Sequence, residues 1–495
     1  MAYILTTGGF GLPTKNLRNN SIDVFKPGFY LKPHNLSPHY AVIEAMHGAG
    51  ALNGRTRAKW VDRLNWVYES VNFRGFQLSV PWGLYEKGAA GGDFSNLDYL
   101  EDVVDELGAN GKYVMLMSHQ FREFRNDDVS DLSVDDQMRY LLPQDLRTHQ
   151  GMVDSIDCLT SLGETIRSVT GTPSAALGVN GDYAYNATTN MLYGPKAGVW
   201  PAGVDLNLND PRKHWLWDNA YAYSKFVSGA MGFDMKIYKP ALRTRMAAFQ
   251  QAVADRFNNK PHVIAITTTE SAVGSPIYLG AAAGGIVSDG YDANAGAVNV
   301  STNVHRGMLS GKTAVLQATR PKFSNKIFAQ DINTPLDTIN YVKEYFDQAT
   351  ANKMGATSSD TVWWSDGLKR PDEPKKGCLV RMSENSSIMP IISQWQQWCW
   401  DSNLAKSPNI TSTQDFLDRF QNVFDMATVG NATTGFGLDA HMVIIQLETV
   451  MGIWVGGGTY SAPQSVGPNI PVVVPSLKDW LKSKFVSEGI TDGSG

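Results

Sequence analysis

The sequence predicts a (β/α)8 barrel with a long insertion after its third strand, and three observations carry that expectation. Short apolar, β-branched runs recur through the 495 residues, separated by segments with helical spacing. Those near residues 29, 74, 113, 263, 327, 361, 391 and 442 number about eight, the strand count of such a barrel. The runner-up, an open doubly wound sheet, favours a Gly-rich phosphate turn after its first strand, and no GxGxxG or GxxxxGK[ST] stands there.

In chain order, residues 1–27 are polar with Gly and Pro and read as an N-terminal arm. Gly28–His34 is the first expected strand, and Arg55–Val71 has helical spacing through Trp60, Leu64, Val67 and Val71. Phe73–Val80 follows as a strand, with Pro81–Glu86 as its exit loop. Asn96–Leu107 is a second amphipathic helix, with Ser95 or Asn96 as N-cap, and Lys112–Met117 a third strand leading to His119. The rhythm then breaks over residues 121–240, a stretch rich in Asp, Gly, Asn, Tyr and Trp without clear periodicity.

Helical spacing returns at Ala241–Phe257, before the β-branched run Pro261–Glu270. Further strands are expected at Ile327–Asp331, Asp360–Trp364, Met389–Gln394 and His441–Leu447. Helices are expected near Val304–Ala318 and at Asp337–Met354, Ser412–Ala427 and Pro475–Phe485. The expected organisation is an arm over 1–27 and one barrel over 28–490 that includes the 121–240 insertion.

Composition narrows the partners. Hydrophobic residues at 43% and charged ones at 18% describe a globular chain, and the net charge of -5 advertises no nucleic-acid surface. No apolar run approaches the roughly 18–20 residues of a membrane span. Three cysteines (Cys158, Cys378, Cys399) form no CxxC pair and have no His at zinc spacing, so neither a disulfide framework nor a metal or other cofactor is expected. Met1–Gly9 lacks the profile of a signal peptide, which suits a cytoplasmic or particle-associated (virion) protein.

The chemistry centres on Glu270. Active sites of α/β barrels lie at the C-terminal ends of the strands, and a Glu closing an apolar strand stands at such a mouth. Cleaving a glycosidic bond takes two carboxyl groups, one protonating the leaving oxygen and the other attacking the anomeric carbon or activating water. A desolvated pocket raises the acid's pKa as that role requires. Aromatic rings hold the faces of sugars, and Trp82, Trp363, Trp364, Trp395, Trp398, Trp400 and Trp454 follow expected strands. Each alone is an ordinary packing residue; their joint placement favours a carbohydrate cleft. Trp60, Trp66 and Trp480 lie in expected helices and read as core.

Pro81-Trp82-Gly83-Leu84-Tyr85-Glu86, with Gly91-Gly92-Asp93-Phe94-Ser95-Asn96-Leu97-Asp98, resembles the W-x-x-x-E … G-x-F-x-x-L-D signature of retaining (β/α)8 glycoside hydrolases of the β-galactosidase-like and endoglucanase-like clan. Arg256–Ala265 is similar to that clan's approach to strand four. The resemblance spans most of residues 28–455. It implies Glu270 as acid/base, His119 as a substrate-binding histidine after strand three, and Gln394 at the place of the strand-seven nucleophile. Thr269 stands where the clan usually has the Asn that contacts the sugar 2-hydroxyl; a hydroxyl can still hydrogen-bond there.

Gln394 is the sharper departure, since an amide cannot act as the carboxylate nucleophile. Three readings stand side by side. Gln394 is an inactivating exchange for Glu; or the second carboxylate is Glu448, Asp331, Asp360 or Asp366; or the barrel binds sugar without turnover. Glu86 reads as an ion-pair partner near the rim, and Glu384 as a loop residue at the opposite face.

The leading expectation is therefore a retaining glycoside hydrolase acting on a poly- or oligosaccharide. Its catalytic residues would be Glu270 and Gln394, and its sugar contacts Trp82, His119, Thr269, Asp331, Trp363, Trp364, Trp395, Glu448 and Trp454. The second is a carbohydrate-recognition protein, such as a virion-borne receptor binder or depolymerase component. A metal-dependent barrel hydrolase would want a His-x-His on strand one, and His34 and His39 are too far apart to supply it.

Overall fold

The structure is a computed structural model. It describes residues 28–33, 36–51, 55–70, 73–87, 92–118, 121–123, 139–143, 146, 166–186, 188–189, 191–205, 221–225, 231–235, 240–268, 275–276, 311, 313–324, 326–332, 341–358, 378–395, 421, 425, 427, 438 and 440–446. Its strands are β1 (Gly28–Lys32), β2 (Gly75–Val80), β3 (Tyr113–Ser118), β4 (Phe121–Glu123), β5 (Ile166–Ser168), β6 (Tyr183–Asn186), β7 (Met191–Tyr193) and β8 (Val204–Asp205). They continue with β9 (Tyr221–Lys225), β10 (Met231–Met235), β11 (Val263–Thr268), β12 (Ser275–Pro276), β13 (Ile327–Asp331), β14 (Gly355–Ser358), β15 (Ile391–Trp395) and β16 (Met442–Gln446). The helices are α1 (Tyr40–His47), α2 (Arg55–Ser70), α3 (Trp82–Tyr85), α4 (Leu97–Ala109), α5 (Pro240–Phe257), α6 (Tyr341–Ala351) and α7 (Cys378–Asn385).

Eight strands close a parallel barrel in the order β1-β16-β15-β14-β13-β11-β3-β2, which is the (β/α)8 architecture. The closing pair runs in full register from Gly28↔Met442 to Lys32↔Gln446. Parallel strands covered on both faces need apolar residues at consecutive positions, and that is what the runs supply.

The two faces separate cleanly. Tyr30, Met115, Ile264, Ala265, Ile327, Ala329, Ile392, Met442 and Ile444 form a cluster drawn only from barrel strands, so they fill the interior. Phe29, Leu31, Phe76, Leu78, Val114, Leu116, Phe328, Ile391, Trp395, Val443 and Ile445 join the larger cluster that includes the helices, so they face outward. The α4 residues Leu97, Leu100, Val103, Val104 and Leu107 belong to that outer core, at spacings that put them on one helical face.

Several expectations are corrected. The sixth barrel strand is Gly355–Ser358, a few residues ahead of the expected Asp360–Trp364. It was missed because its residues, GATS, are small and polar. The exit of β2 is a helical turn, α3, rather than an open loop. The segment before β15 contains α7, which includes Glu384.

Asn96 occupies the N-cap of α4 but makes no side-chain cap bond. Its amide instead donates to the Leu84 carbonyl at 2.8 Å and to Met46 Sδ at 3.1 Å. The 121–240 insertion contributes strands to two small sheets, β12-β9-β10-β4 and β5-β6-β7-β8. Strands this short leave little room for a readable period. The arm over 1–27 and the expected closing helix lie outside the described residues.

Packing is tightest where a barrel strand approaches a residue with no side chain. A Cβ on Gly75 would lie 1.9 Å from the Tyr113 carbonyl oxygen of β3, a backbone atom that cannot step aside. Gly75→Ala should therefore destabilise the protein by about 1–3 kcal/mol or more, read as a lower urea midpoint with unchanged slope; an unchanged midpoint would contradict the close approach.

Candidate functional site

All eight barrel strands are parallel, so their C-terminal ends gather at one mouth. The pleat and the register fix which side chains face it. In barrels of this class each interior layer takes one residue from alternate strands, and the layer climbs by one residue per strand. Starting at Gln77 of β2, the paired positions Met115 and Ala265 lead two strands on and two residues up to Thr267 of β11. The contact confirms the step: Gln77 Nε2 donates to Thr267 Oγ1 at 3.1 Å.

The same climb through β13 and β14 reaches Thr357, and through β15 and β16 reaches Ile444. The middle layer is thus Gln77, Thr267, Thr357 and Ile444. Beneath it lie the apolar Tyr30, Met115, Ala329 and Ile392, one layer down on the other four strands. Burial pushes the Tyr30 hydroxyl far above its ordinary pKa, so it stays protonated.

Two residues beyond that apolar set comes the top layer: Lys32 of β1, Met117 of β3, Asp331 of β13 and Gln394 of β15. Met117, Asp331 and Gln394 are buried and Lys32 is half-buried. A cation, an acid and an amide therefore ring the lumen at the end where barrel enzymes hold their reacting groups. Around the ring, Gln394 stands between Asp331 and Lys32. The Asp331 backbone N–H donates to Thr268 Oγ1 at 3.2 Å, which ties the end of β13 to the end of β11.

The structure brings together two of the residues expected from the sequence, Asp331 and Gln394, and withdraws two others. Trp82 is fully buried, stacked on Phe249 at 5.8 Å with the rings 20° apart, and its Nε1 donates to Glu86. Trp395 is fully buried on the outer face, edge-on to Phe29 at 5.9 Å, with Nε1 donating to Ser393 Oγ at 3.1 Å. Neither ring is an open sugar platform. In β15, Gln394 faces inward and so Trp395 must face outward.

His119, Thr269, Glu270, Trp363, Trp364, Glu448 and Trp454 lie outside the described residues, as do Asp360 and Asp366. Trp60, read as core, is buried against Phe76 at 5.6 Å.

Glu86 anchors the wall behind the mouth. Its carboxylate accepts from the Gly92 N–H at 2.7 Å and from Arg245 Nε at 3.0 Å, as well as from Trp82. The Arg245 guanidinium also lies 5.8 Å from the Trp82 ring centre. This lashes α3 to α5. A second anchor was not foreseen. His39, buried beyond β1, donates from Nε2 to the Ser79 carbonyl at 2.6 Å and accepts at Nδ1 from the Tyr85 hydroxyl at 2.5 Å. It pins the end of β2 to the loop after β1, and burial keeps Tyr85 protonated.

No protein-family model matches the chain, and no curated protein matches it. The solved structures that match it include glycoside hydrolases. An endo-glycoceramidase II from Rhodococcus sp. is 11% identical, with 92% of this chain and 78% of that one covered and a TM-score of 0.39. A β-galactosidase from Rahnella sp. R3 is 8% identical, covering 95% and 58%, with a TM-score of 0.42. A glycoside hydrolase family 5 enzyme from Prevotella bryantii B14 is 8% identical, covering 85% of each chain, with a TM-score of 0.35. The fold of this chain rests on its own strand register, and these likenesses assign no residue and no reaction.

Proposed function

We propose that the protein is a glycoside hydrolase acting on O-glycosidic bonds of a poly- or oligosaccharide, with Glu270 as general acid/base. The observation that carries this reading is the top layer of the barrel. It sets an acid, Asp331, beside an amide, Gln394, both inward and buried at the mouth. Glu270 follows Thr268, the last residue of β11, by two positions. Two residues of chain reach about 7 Å at most, which supports a place for Glu270 at the same mouth.

In this reading Glu270 protonates the leaving oxygen and then activates the water that completes the reaction. The retaining route also needs a carboxylate facing the anomeric carbon from the other side. Gln394 occupies that place on the seventh strand with a side chain of nearly the same shape and no negative charge. Gln394→Glu should therefore raise the release of reducing ends from the cleaved glycan by about 100-fold or more, with retained anomeric configuration in the first product. An unchanged rate would move the nucleophile to another carboxylate, with Asp331 the candidate in the same layer.

In the Gln394→Glu background, Glu270→Gln should lower kcat on an unactivated glycan by about 10²–10⁴-fold. Near-normal turnover would remove Glu270 from the acid/base role.

The amide at position 394 also favours a second reading, a carbohydrate-binding protein without turnover. It predicts saturable glycan binding with no new reducing ends, in the Gln394→Glu variant as well as in the parent chain.

A further inference from the structure

We infer that the barrel lumen binds a fixed water molecule, held by Gln77, Thr267 and Thr357 directly beneath the mouth. These three side chains face inward because their strand neighbours Phe76, Leu78, Ile266 and Ala356 lie in the outer cluster. The strand order sets Gln77 of β2 opposite Thr357 of β14 across the lumen, with Thr267 of β11 between them. Each of the three is at most 1% exposed. Gln77 Nε2 is matched by Thr267 Oγ1, but Gln77 Oε1 and Thr357 Oγ1 have no hydrogen-bond partner among the described residues. Turning the amide over only exchanges which of its ends is left over. Buried polar atoms are costly when unpaired, so two that face one space call for a shared partner.

Water answers each of these groups. It can donate to Gln77 Oε1, accept from the Thr267 hydroxyl, and either donate to or accept from Thr357 Oγ1. About three such bonds are usual for a buried water. Space for it lies under the threonines, where Ala329 of the intervening β13 puts only a methyl group into the layer below. A metal ion fits less well: the donors of this layer are neutral, and hard cations are normally held with carboxylates among their oxygen ligands. An apolar guest would leave both oxygens unpaired. Bound there, the water is the floor of the mouth, a polar contact between the apolar layer of Tyr30, Met115, Ala329 and Ile392 and the top layer. It belongs to the lumen whatever reaction the mouth performs.

A crystal structure of the full chain, at a resolution that shows ordered waters, tests this directly. The expected result is a single peak within hydrogen-bond distance of both Gln77 Oε1 and Thr357 Oγ1. It should refine as a water oxygen and stay the same in crystals grown from sodium, potassium or choline salts. A peak that changes with the cation supplied, or no peak at that place, would overturn the water. Thr357→Val checks the same point in solution. Removing a hydroxyl that is bonded to water breaks a matched set, so the urea midpoint should fall with the slope unchanged. Removing an unpaired hydroxyl relieves a cost instead, so an unchanged or raised midpoint would also overturn it. If the variant does not fold, the crystal of the parent chain decides alone.

Discussion

Closure of the parallel barrel through the β1–β16 pair is the constraint on which the rest of the molecule depends. Once that ladder is in register, every other barrel strand has one height and one pleat phase, and the interior layers follow. A slip of one residue in β15 would exchange Gln394 for Trp395 on the inner face and put a large ring where the layer holds an amide. The hydrogen bond from Gln77 to Thr267 shows the layers meeting across two strands as the closed geometry requires. Position in the ring, rather than proximity in sequence, makes Lys32, Asp331 and Gln394 neighbours.

The wall around this mouth is held by buried polar contacts as well as by apolar packing. Glu86 is enclosed and takes donors from a ring N–H, a backbone N–H and a guanidinium. A buried carboxylate is tolerable only when matched so fully. His39 works differently, using both ring nitrogens to join β2 to the loop after β1. Farther from the mouth, α4 and α5 are clasped by Arg256 and Lys260 reaching Asp98, Glu101 and Asp105. Hydrogen bonds from Lys260 and then Arg256 hold the Glu101 carboxyl below its ordinary range. That part of the clasp is intact above the unfolded carboxylate pKa and is lost as acidification protonates Glu101. Because these groups are partly exposed, each pair contributes at most about 1 kcal/mol.

Much of this frame was legible in the sequence, since a buried parallel strand needs an unbroken apolar run and Ile327–Asp331 or Val263–Thr268 can hardly be anything else. Gly355–Ser358 was not legible. Its small residues are dictated by the closeness of neighbouring strands: a Cβ on Gly355 would lie 2.6 Å from the Pro390 carbonyl oxygen. Trp82 and Trp395 misled for a related reason. Ring count near strand ends says nothing about pleat phase, and Trp82 and Trp395 both turned into packing. The resemblance singled out Gln394, and Asp331 stood among the alternative carboxylates; that both face the lumen is set by the strand register. Register, which set these side chains in one layer, is a long-range property that no local pattern carries.

The account's central claim is that the top layer, and not a deeper or outer surface, meets the sugar. Two methionines on one strand report on it directly: Met117 lies in that layer, and Met115 lies two residues lower and is fully buried beneath it. Methyl-labelled methionine spectra, assigned by single Met→Leu exchanges, would be followed while an oligosaccharide that the chain binds is titrated in. The account predicts a saturable shift of the Met117 methyl with Met115 nearly unmoved. A saturating ligand that leaves Met117 unmoved would contradict it.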